Sequence, residues 1–199
     1  MKYSNCFLEK ALVSKLTFGC GPLGGVDWGV FDVKDTMAAV SRAYELGVNM
    51  FDTADVYGLG NSEKLLSKAL GRKRHDAIIS TKFGVNWTKR SDQEWAKTFY
   101  DSSAKRVVKA LEASLNRLRI ESIPLYYVHW PDPNTPFHET AEALLRCQEA
   151  GKIQNIGLSN FPLSKIQEIS QDFKIYAVQV QYNLIDTGVE DKFLKACEE

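Results

Sequence analysis

Short apolar runs alternate with amphipathic helical patterns along the entire chain. Six apolar runs are each followed by a loop and then by a segment that has apolar residues three and four positions apart. In the clearest helical segment, Ser102–Leu118, the residues Val107, Leu111, Leu115 and Leu118 share one face. Strands that alternate with helices in this way pair in parallel through right-handed crossovers. The pattern therefore predicts an α/β fold.

The boundaries of the repeats can be placed from apolar runs, glycines and capping residues. The predicted strands are Leu16–Gly21, Val48–Asp52, Ala77–Lys82, Pro124–Val128, Ile153–Leu158 and Tyr176–Val180. The predicted helices are Val33–Leu46, Lys64–Leu70, Ser102–Leu118, Phe137–Ala150, Leu163–Ser170 and a last helix from Val189. The segment Met1–Leu16 favours a small hairpin or an irregular lead-in. Phe83–Tyr100 is predicted to be a long loop, of a kind that is usually functional or mobile.

The positions of polar residues discriminate between two α/β architectures, an open doubly wound sheet and a (β/α)8 barrel. Polar side chains stand at or near the ends of different predicted strands: Asp52, Lys82, His129, Ser159 with Asn160, and Gln179. In a barrel all such ends converge on one mouth, where barrel enzymes carry out their chemistry. An open sheet would spread them along an edge. We therefore expect the (β/α)8 TIM-barrel type.

The length of the chain limits how much of a barrel it can form. A complete (β/α)8 barrel has eight units and typically ~250 residues, whereas the 199 residues of this chain hold about six units. We therefore expect residues 1–199 to be a single domain that is truncated on its C-terminal side. Its first and sixth strands would then be uncovered edges.

Charge and cysteine usage exclude several classes of partner. The chain has 25 Lys and Arg against 25 Asp and Glu, and no basic run that would track nucleic acid or an anionic membrane. Its four cysteines are scattered, so neither a metal site nor a disulfide framework is expected. No signal-peptide pattern and no apolar run near the ~20 residues of a membrane helix are present. We expect a cytoplasmic protein.

Four residues suit a proton-transfer device and are called the tetrad below: Asp52, Tyr57, Lys82 and His129. A tyrosine, with an ordinary pKa of ~10, is a poor acid or base at neutral pH unless a cation lies beside its hydroxyl. Lys82 can supply that cation, and Asp52 can keep a buried lysine charged. His129 can donate a hydrogen bond or a proton to a carbonyl oxygen. Each residue alone has a structural explanation, as a cap, a packed ring or a solvated charge, but their joint placement favours function.

Five motifs in this order resemble those of the aldo-keto reductase superfamily. They are Phe-Asp-Thr-Ala-Asp-Val-Tyr-Gly with Gly-Asn-Ser-Glu (51–63), Ser-Thr-Lys-Phe-Gly (80–84), Tyr-Val-His-Trp-Pro (127–131), Gly-Leu-Ser-Asn-Phe (157–161) and Gln-Val-Gln-Tyr-Asn (179–183). The resemblance covers nearly the whole chain. It is strongest to the branch with Tyr-Gly-x-Gly-x-Ser-Glu, which includes bacterial sugar and aldehyde dehydrogenases and the potassium-channel β subunits.

The resemblance implies an NADP-dependent oxidoreductase domain over residues 1–199. Such a barrel binds NADP(H) and passes a hydride between the nicotinamide and the carbonyl or alcohol of an aldehyde, ketone or sugar. Tyr57 would be the proton donor, Lys82 and Asp52 would tune it, and His129 would orient the carbonyl. These implied roles agree with those argued from the residues themselves.

The resemblance also implies where the cofactor is held. The matching positions are Cys20, Gly21, Asp52, Ser159, Asn160 and Gln179. The amide and hydroxyl groups near the fifth and sixth strands suit the nicotinamide carboxamide. Family members hold the cofactor's phosphates with loops after the seventh and eighth strands, which are not among these residues. The choice between NADPH and NADH therefore stays open.

Three tryptophans and one histidine are the candidates for contacting the substrate. Trp28, Trp87 and Trp130 fall in loops after strands, where an apolar wall would form, although each could simply be packing. Trp130 is the first choice because it directly follows His129. The expected partner is a small-molecule carbonyl or alcohol, and the oligomeric state is open.

A second function is compatible with the same motifs. The potassium-channel β subunits belong to this branch, so the barrel could serve as a cofactor-binding sensor or regulatory subunit with little turnover. Replacing Tyr57 discriminates between the two functions, because only an enzyme loses rate without its proton donor.

Overall fold

A computed structural model of the protein describes residues 1–5, 12–25, 32–88 and 97–198. The candidate substrate residue Trp28 lies outside the described residues. The strands are β1 (Tyr3–Asn5), β2 (Leu12–Ser14), β3 (Thr17–Gly19), β4 (Met50–Asp52), β5 (Ile78–Phe83), β6 (Val85–Thr88), β7 (Lys97–Tyr100), β8 (Ile123–Val128), β9 (Ile153–Ser159) and β10 (Ala177–Gln179). The helices are α1 (Val33–Glu45), α2 (Asn61–Leu70), α3 (Ala104–Leu118), α4 (Phe137–Glu149), α5 (Leu163–Ser170) and α6 (Phe193–Glu198). Within these ranges no helix is both long and apolar enough to cross a membrane.

Six of the strands form one parallel sheet in the order β3-β4-β5-β8-β9-β10. Neighbours in the sheet are therefore successive repeats of the chain, whereas a doubly wound sheet reverses its strand order at a switch point. Helices α1 to α4 pack side by side in the same sequence. The structure confirms the α/β class and the partial (β/α)8 barrel.

Successive residues of β5 face opposite sides of the sheet, as they must in any strand. Ile79 packs against Leu66 in the layer between the sheet and the helices. Its neighbour Ile78 packs against Leu125 on the opposite, inner face. Lys82, four residues after Ile78, therefore points into the barrel interior at the C-terminal end of the strand. The alternation of β5 is what brings an ammonium group into the core.

The prediction that Phe83–Tyr100 is a loop is wrong at both ends of the segment. Strands β6 and β7 pair there as an antiparallel hairpin, with Trp87 opposite Thr98. Both strands are rich in β-branched and aromatic residues, which favour paired strands over irregular structure. The polar residues between them, which fall outside the described residues at 89–96, led to the loop interpretation. In the segment Met1–Leu16, by contrast, β1 pairs antiparallel with β2 as the small hairpin, which is one of the two structures predicted there.

The predicted start of α2 is also wrong. The helix begins at Asn61 instead of Lys64, and Ser62 is not its cap. The Ser62 hydroxyl instead donates a hydrogen bond of 2.7 Å to the carbonyl oxygen of Cys20, so a tertiary contact replaces the local one. The last helix likewise begins later than Val189.

The loops after β3 and β4 approach each other backbone to backbone at Gly24 and Gly58. A Cβ atom on Gly24 would lie 2.6 Å from the amide nitrogen of Gly58 and 2.8 Å from the carbonyl carbon of Tyr57. Gly58 also has a φ of 56°, in the left-handed region that favours glycine. Glycine at both positions lets the two loops touch directly beside Tyr57.

Replacing Gly24 with alanine should lower the free energy of unfolding by about 1–3 kcal/mol, as overpacking does, because the new methyl meets backbone atoms. Gly19→Ala is the matched control, since an added Cβ there would have no atom of the described residues within 4 Å and neither glycine has a positive φ. Urea denaturation measures both variants. Equal free energies of unfolding would contradict the close approach.

Candidate active site

The ammonium group of Lys82 is completely buried and is surrounded by oxygen atoms. Its Nζ donates to Asp52 Oδ2 at 2.5 Å and to the backbone oxygen of Thr53 at 2.9 Å. A third, longer hydrogen bond of 3.4 Å runs from Nζ to the hydroxyl of Tyr57. An ammonium has three protons to donate, so these three oxygens account for all of them.

Both carboxylate oxygens of Asp52 are occupied. Oδ2 accepts from Lys82, and Oδ1 accepts a 2.6 Å hydrogen bond from the Ser80 hydroxyl. Ser80 precedes Lys82 by two residues and therefore lies on the same face of β5. The sequence interpretation missed Ser80, although this spacing is the signal that could have found it. The two bonds fix the orientation of the carboxylate towards the lysine.

A turn over residues 53–57, called the Tyr57 turn below, crosses the end of β5. The amide of Thr53 donates to the carbonyl of Ser80 at 2.9 Å, and the amide of Asp55 donates to the carbonyl of Lys82 at 3.1 Å. The amide of Tyr57 closes the turn on the carbonyl of Ala54. The half-buried phenol ring thus stands over Lys82, whose Nζ lies 5.0 Å from the ring centre.

His129 lies beside Tyr57, with the two rings edge to face and their centres 5.8 Å apart. Its backbone amide donates to the carbonyl of Phe83, which places the residue at the end of β8 next to β5. Burial, and then the positive charge of Lys82, lower the pKa of His129 to about 3. The imidazole is therefore neutral at pH 7, with one N–H to donate.

Cys20 and Gly21 lie at the end of β3, next to Asp52. The amide of Cys20 donates to the backbone oxygen of Asp52 at 2.8 Å. Burial of the thiol, with a further contribution from Asp52, raises the pKa of Cys20, so the side chain stays protonated. Gly21 is half-buried and begins a single turn of 3-10 helix. A ligand would therefore contact the backbone groups of Cys20 and Gly21.

Ser159, Asn160 and Gln179 meet at the ends of β9 and β10. Ser159 lies opposite Gln179 in the parallel pairing, and the amide of Asn160 donates to the backbone oxygen of Gln179 at 3.0 Å. The side-chain amide of Asn160 donates to the Ser159 hydroxyl and to the carbonyl oxygen of His129, both at 3.0 Å. The polar groups at the fifth and sixth strands of the barrel are therefore connected to the tetrad through His129.

The two described tryptophan candidates lie on or near the β6–β7 hairpin. Trp130 is 41% exposed, with its ring centre 6.5 Å from that of Tyr100. Trp87 is half-buried, and the guanidinium of Arg106 lies 5.5 Å from its ring centre. Both rings are on the side of the tetrad where β5 and β8 end.

Charged residues that the sequence interpretation missed are buried on the other face of the sheet. Asp55 pairs with Arg106 at 2.9 Å, and Glu63 pairs with Arg117 at 2.5 Å. Thr81, the residue before Lys82, donates to Glu63 from the outer face of β5. The signal for these pairs was weak, because each joins residues more than fifty positions apart.

Among the described residues, the tetrad coincides neither with a metal cluster nor with the groove between α2 and α3. Among the described residues, no three His, Cys, Asp or Glu side chains are grouped so that they could hold a metal ion. A groove of about 880 Å3 lies between α2 and α3 and is lined by Lys64, Lys68 and Arg117, among others. It contains no residue of the tetrad, so its size does not make it the candidate active site.

The chain is similar in sequence to known proteins. The sequence model of the Aldo/keto reductase family matches residues 15–199. The aldo-keto reductase yakc [NADP(+)] of Schizosaccharomyces pombe is 33% identical over 193 residues, which are 94% of this chain and 55% of that protein. The NADH-specific methylglyoxal reductase of Escherichia coli is 31% identical over 188 residues, or 88% of this chain and 57% of that protein. The chain thus spans about half the length of the curated relatives it matches.

Solved structures extend the similarity to the fold. The glycerol dehydrogenase AKR11B4 of Gluconobacter oxydans superposes with a TM-score of 0.87 at 34% identity, over 95% of this chain and 57% of that one. The parallel strands of the sheet, the order of its repeats and the family match over residues 15–199 lead to one conclusion. The chain belongs to the aldo/keto reductase family.

Proposed function

We propose that the tetrad carries out proton transfer in an NADP(H)-dependent reduction of an aldehyde, ketone or sugar, and in the reverse oxidation of the alcohol. The observation that carries this proposal is the buried ammonium of Lys82, which donates to Asp52 and reaches the Tyr57 hydroxyl at 3.4 Å. A cation held at that distance stabilises the phenolate that forms when Tyr57 gives up its proton. The geometry supports proton donation from this hydroxyl.

Each member of the tetrad has one task in the proposed reaction. A bound nicotinamide would supply a hydride for the carbonyl carbon. Tyr57 gives its proton to the carbonyl oxygen, so that hydride and proton together make the alcohol. Lys82 holds the negative charge left on the phenolate, and Asp52 keeps Lys82 charged in the core. His129, neutral because it is buried, donates its N–H to the same carbonyl oxygen.

The residues near the fifth and sixth strands fit the carboxamide of a nicotinamide. A carboxamide needs acceptors for its NH2 group and a donor for its oxygen. Asn160 uses its NH2 for Ser159 and His129, which leaves its side-chain oxygen as an acceptor. Gln179 can supply a donor. Together with the backbone near Cys20 and Gly21 and the carboxylate of Asp52, these groups are the proposed cofactor contacts.

NADP(H) is proposed as the cofactor because it is the usual choice of the family and appears in the name of the Schizosaccharomyces pombe relative. The Escherichia coli relative is named for NADH. NADH is therefore the competing coenzyme. Titration of the protein with NADPH and with NADH measures which of the two it prefers.

The proposed substrate is a small carbonyl compound or alcohol. The Gluconobacter oxydans protein is named a glycerol dehydrogenase, and an enzyme of that name oxidises an alcohol. We propose that Trp28, Trp87 and Trp130 form the apolar wall of the substrate site. Trp130 is the first candidate because its exposed ring follows His129.

Zero net charge argues against nucleic acid as a partner. The proposed setting is the cytoplasm, and residues 1–199 are proposed to belong to a single catalytic domain.

Tyr57→Phe removes the proposed proton donor and should lower kcat by about 100-fold or more, the usual contribution of a positioned acid, with little change in cofactor affinity. Steady-state kinetics and cofactor titration of the full gene product that contains this chain measure both. Tyr126→Phe is the matched control, since it removes a buried hydroxyl that has no hydrogen-bond partner among the described residues. Tight cofactor binding with negligible turnover, unchanged in Tyr57→Phe, would favour the sensor function instead.

Asp52→Asn should lower the free energy of unfolding by about 3 kcal/mol, because it leaves the buried ammonium of Lys82 without its counter-charge. The double variant Asp52→Asn with Lys82→Met removes both charges and should recover most of that loss. Urea denaturation of the two variants provides the measurement. A double variant no more stable than Asp52→Asn would contradict the view that the carboxylate is there to balance the lysine.

A further inference from the structure

The hydroxyl of Tyr57 is held by few contacts of its own. Its only hydrogen bond among the described residues is the 3.4 Å bond from Lys82, the longest of the three made by that ammonium. The position of the phenol is therefore set mainly by the backbone of the Tyr57 turn. A group that fixes this turn would control the distance from Tyr57 to Lys82.

Asp55 fixes the middle of the Tyr57 turn from two directions. Its backbone amide donates to the carbonyl of Lys82 at 3.1 Å. Its side chain, only 1% exposed, points the other way and pairs with Arg106 Nη2 at 2.9 Å. The residue two positions before Tyr57 is thus tied to β5 by its backbone and to α3 by its carboxylate.

Arg106 is in a position that its own helix does not favour. It belongs to the first turn of α3, which contains no acidic residue. A positive charge at a helix N-terminus is opposed by the helix dipole. A residue that breaks a local rule is commonly explained by a tertiary or functional contact. For Arg106 that contact is Asp55, on a segment 51 positions away in the chain.

The guanidinium of Arg106 also contacts Trp87, one of the proposed substrate contacts. It lies 5.5 Å from the ring centre of Trp87, within the range of a cation–π interaction. Trp87 belongs to β6, the first strand of the hairpin beside the tetrad. One side chain of α3 therefore contacts both the Tyr57 turn and the hairpin.

We infer that Arg106 is a positioning residue. Through Asp55 it holds the Tyr57 turn against the end of β5, and through Trp87 it holds the β6–β7 hairpin in register with that turn. The inference rests on the proposed function in one respect, namely that Tyr57 is the proton donor. It adds a residue of α3, on the helix side of the sheet, to those that set the geometry of the tetrad.

The electrostatics of Asp55 make Arg106 necessary for this contact. Burial raises the pKa of Asp55 to about 7; Arg106 acts against this shift, Glu63 adds to it and Arg117 opposes it. Among the described residues, Tyr126 also interacts with this carboxyl. Without Arg106, the buried Asp55 would favour its neutral form and would have lost its charged partner.

A purely structural role for the pair would have a different signature. Buried ion pairs are weak evidence for stability, and removing one partner destabilises a protein wherever the pair lies. The chain offers a matched comparison, because Arg117 on the same helix pairs with the buried Glu63. Loss of stability alone would be common to both arginines, whereas loss of tetrad geometry would be specific to Arg106.

The experiment compares Arg106→Met, Arg106→Lys and Arg117→Met in the full gene product. Hydrogen exchange, read by mass spectrometry over residues 53–57, reports the Tyr57 turn directly, and steady-state kinetics report the tetrad. We expect Arg106→Met to speed exchange in this segment and to lower kcat by about 10- to 100-fold, as a misplaced catalytic group does, with KM little changed. Arg106→Lys should recover part of both effects. Arg117→Met should show neither.

The two readouts separate the inference from the function on which it rests. Equal exchange over residues 53–57 in Arg106→Met and Arg117→Met would overturn the positioning role, whether or not the protein turns over substrate. Faster exchange confined to the Arg106 variants would support it even if no variant, wild type included, shows turnover. If Arg106→Met does not fold, the isosteric Asp55→Asn takes its place, with the same expectations.

Discussion

Burying the ammonium of Lys82 is the constraint on which the rest of the site depends. A lone charge in the core would be lost by deprotonation or would cost several kcal/mol. The carboxylate of Asp52 supplies the counter-charge for Lys82, and the hydroxyl of Ser80 fixes that carboxylate in turn. With its charge secured, Lys82 has one proton left for the hydroxyl of Tyr57. The same requirement that keeps the core stable thus places a cation where a phenolate can form.

The alternation of β5 divides the polar groups into two layers. Lys82 on the inner face belongs to the tetrad, while Thr81 on the outer face joins the ion pairs between the sheet and α2 and α3. The Tyr57 turn contacts both layers, since its backbone meets Lys82 and its Asp55 side chain meets Arg106. This double attachment explains how helices on the outside of a barrel can influence the geometry at its mouth.

Features with a local signature could be predicted from the sequence, and those made by distant contacts could not. Lys82 stands out because a charge that ends an apolar strand is rare, and the repeats predict the parallel sheet. The β6–β7 hairpin was not predicted because its strands flank a polar segment. The role of Arg106 could not be predicted, because a basic residue near a helix start resembles any solvated charge until its partner, 51 positions away, is known. Ser62 lies just before the predicted start of α2 and has the side-chain oxygen of a capping residue, yet its hydroxyl donates to the carbonyl oxygen of Cys20.

The central claim is that a cation beside the Tyr57 hydroxyl makes it a proton donor. Chemical rescue of Lys82→Ala tests this most directly, because the truncation opens room for a small alkylammonium ion in the core. Single-turnover hydride transfer should be slow in Lys82→Ala and should recover saturably with added ethylammonium, but not in the double variant that also carries Tyr57→Phe. Recovery that is equal with a neutral alcohol of the same size, or that persists without Tyr57, would contradict the claim.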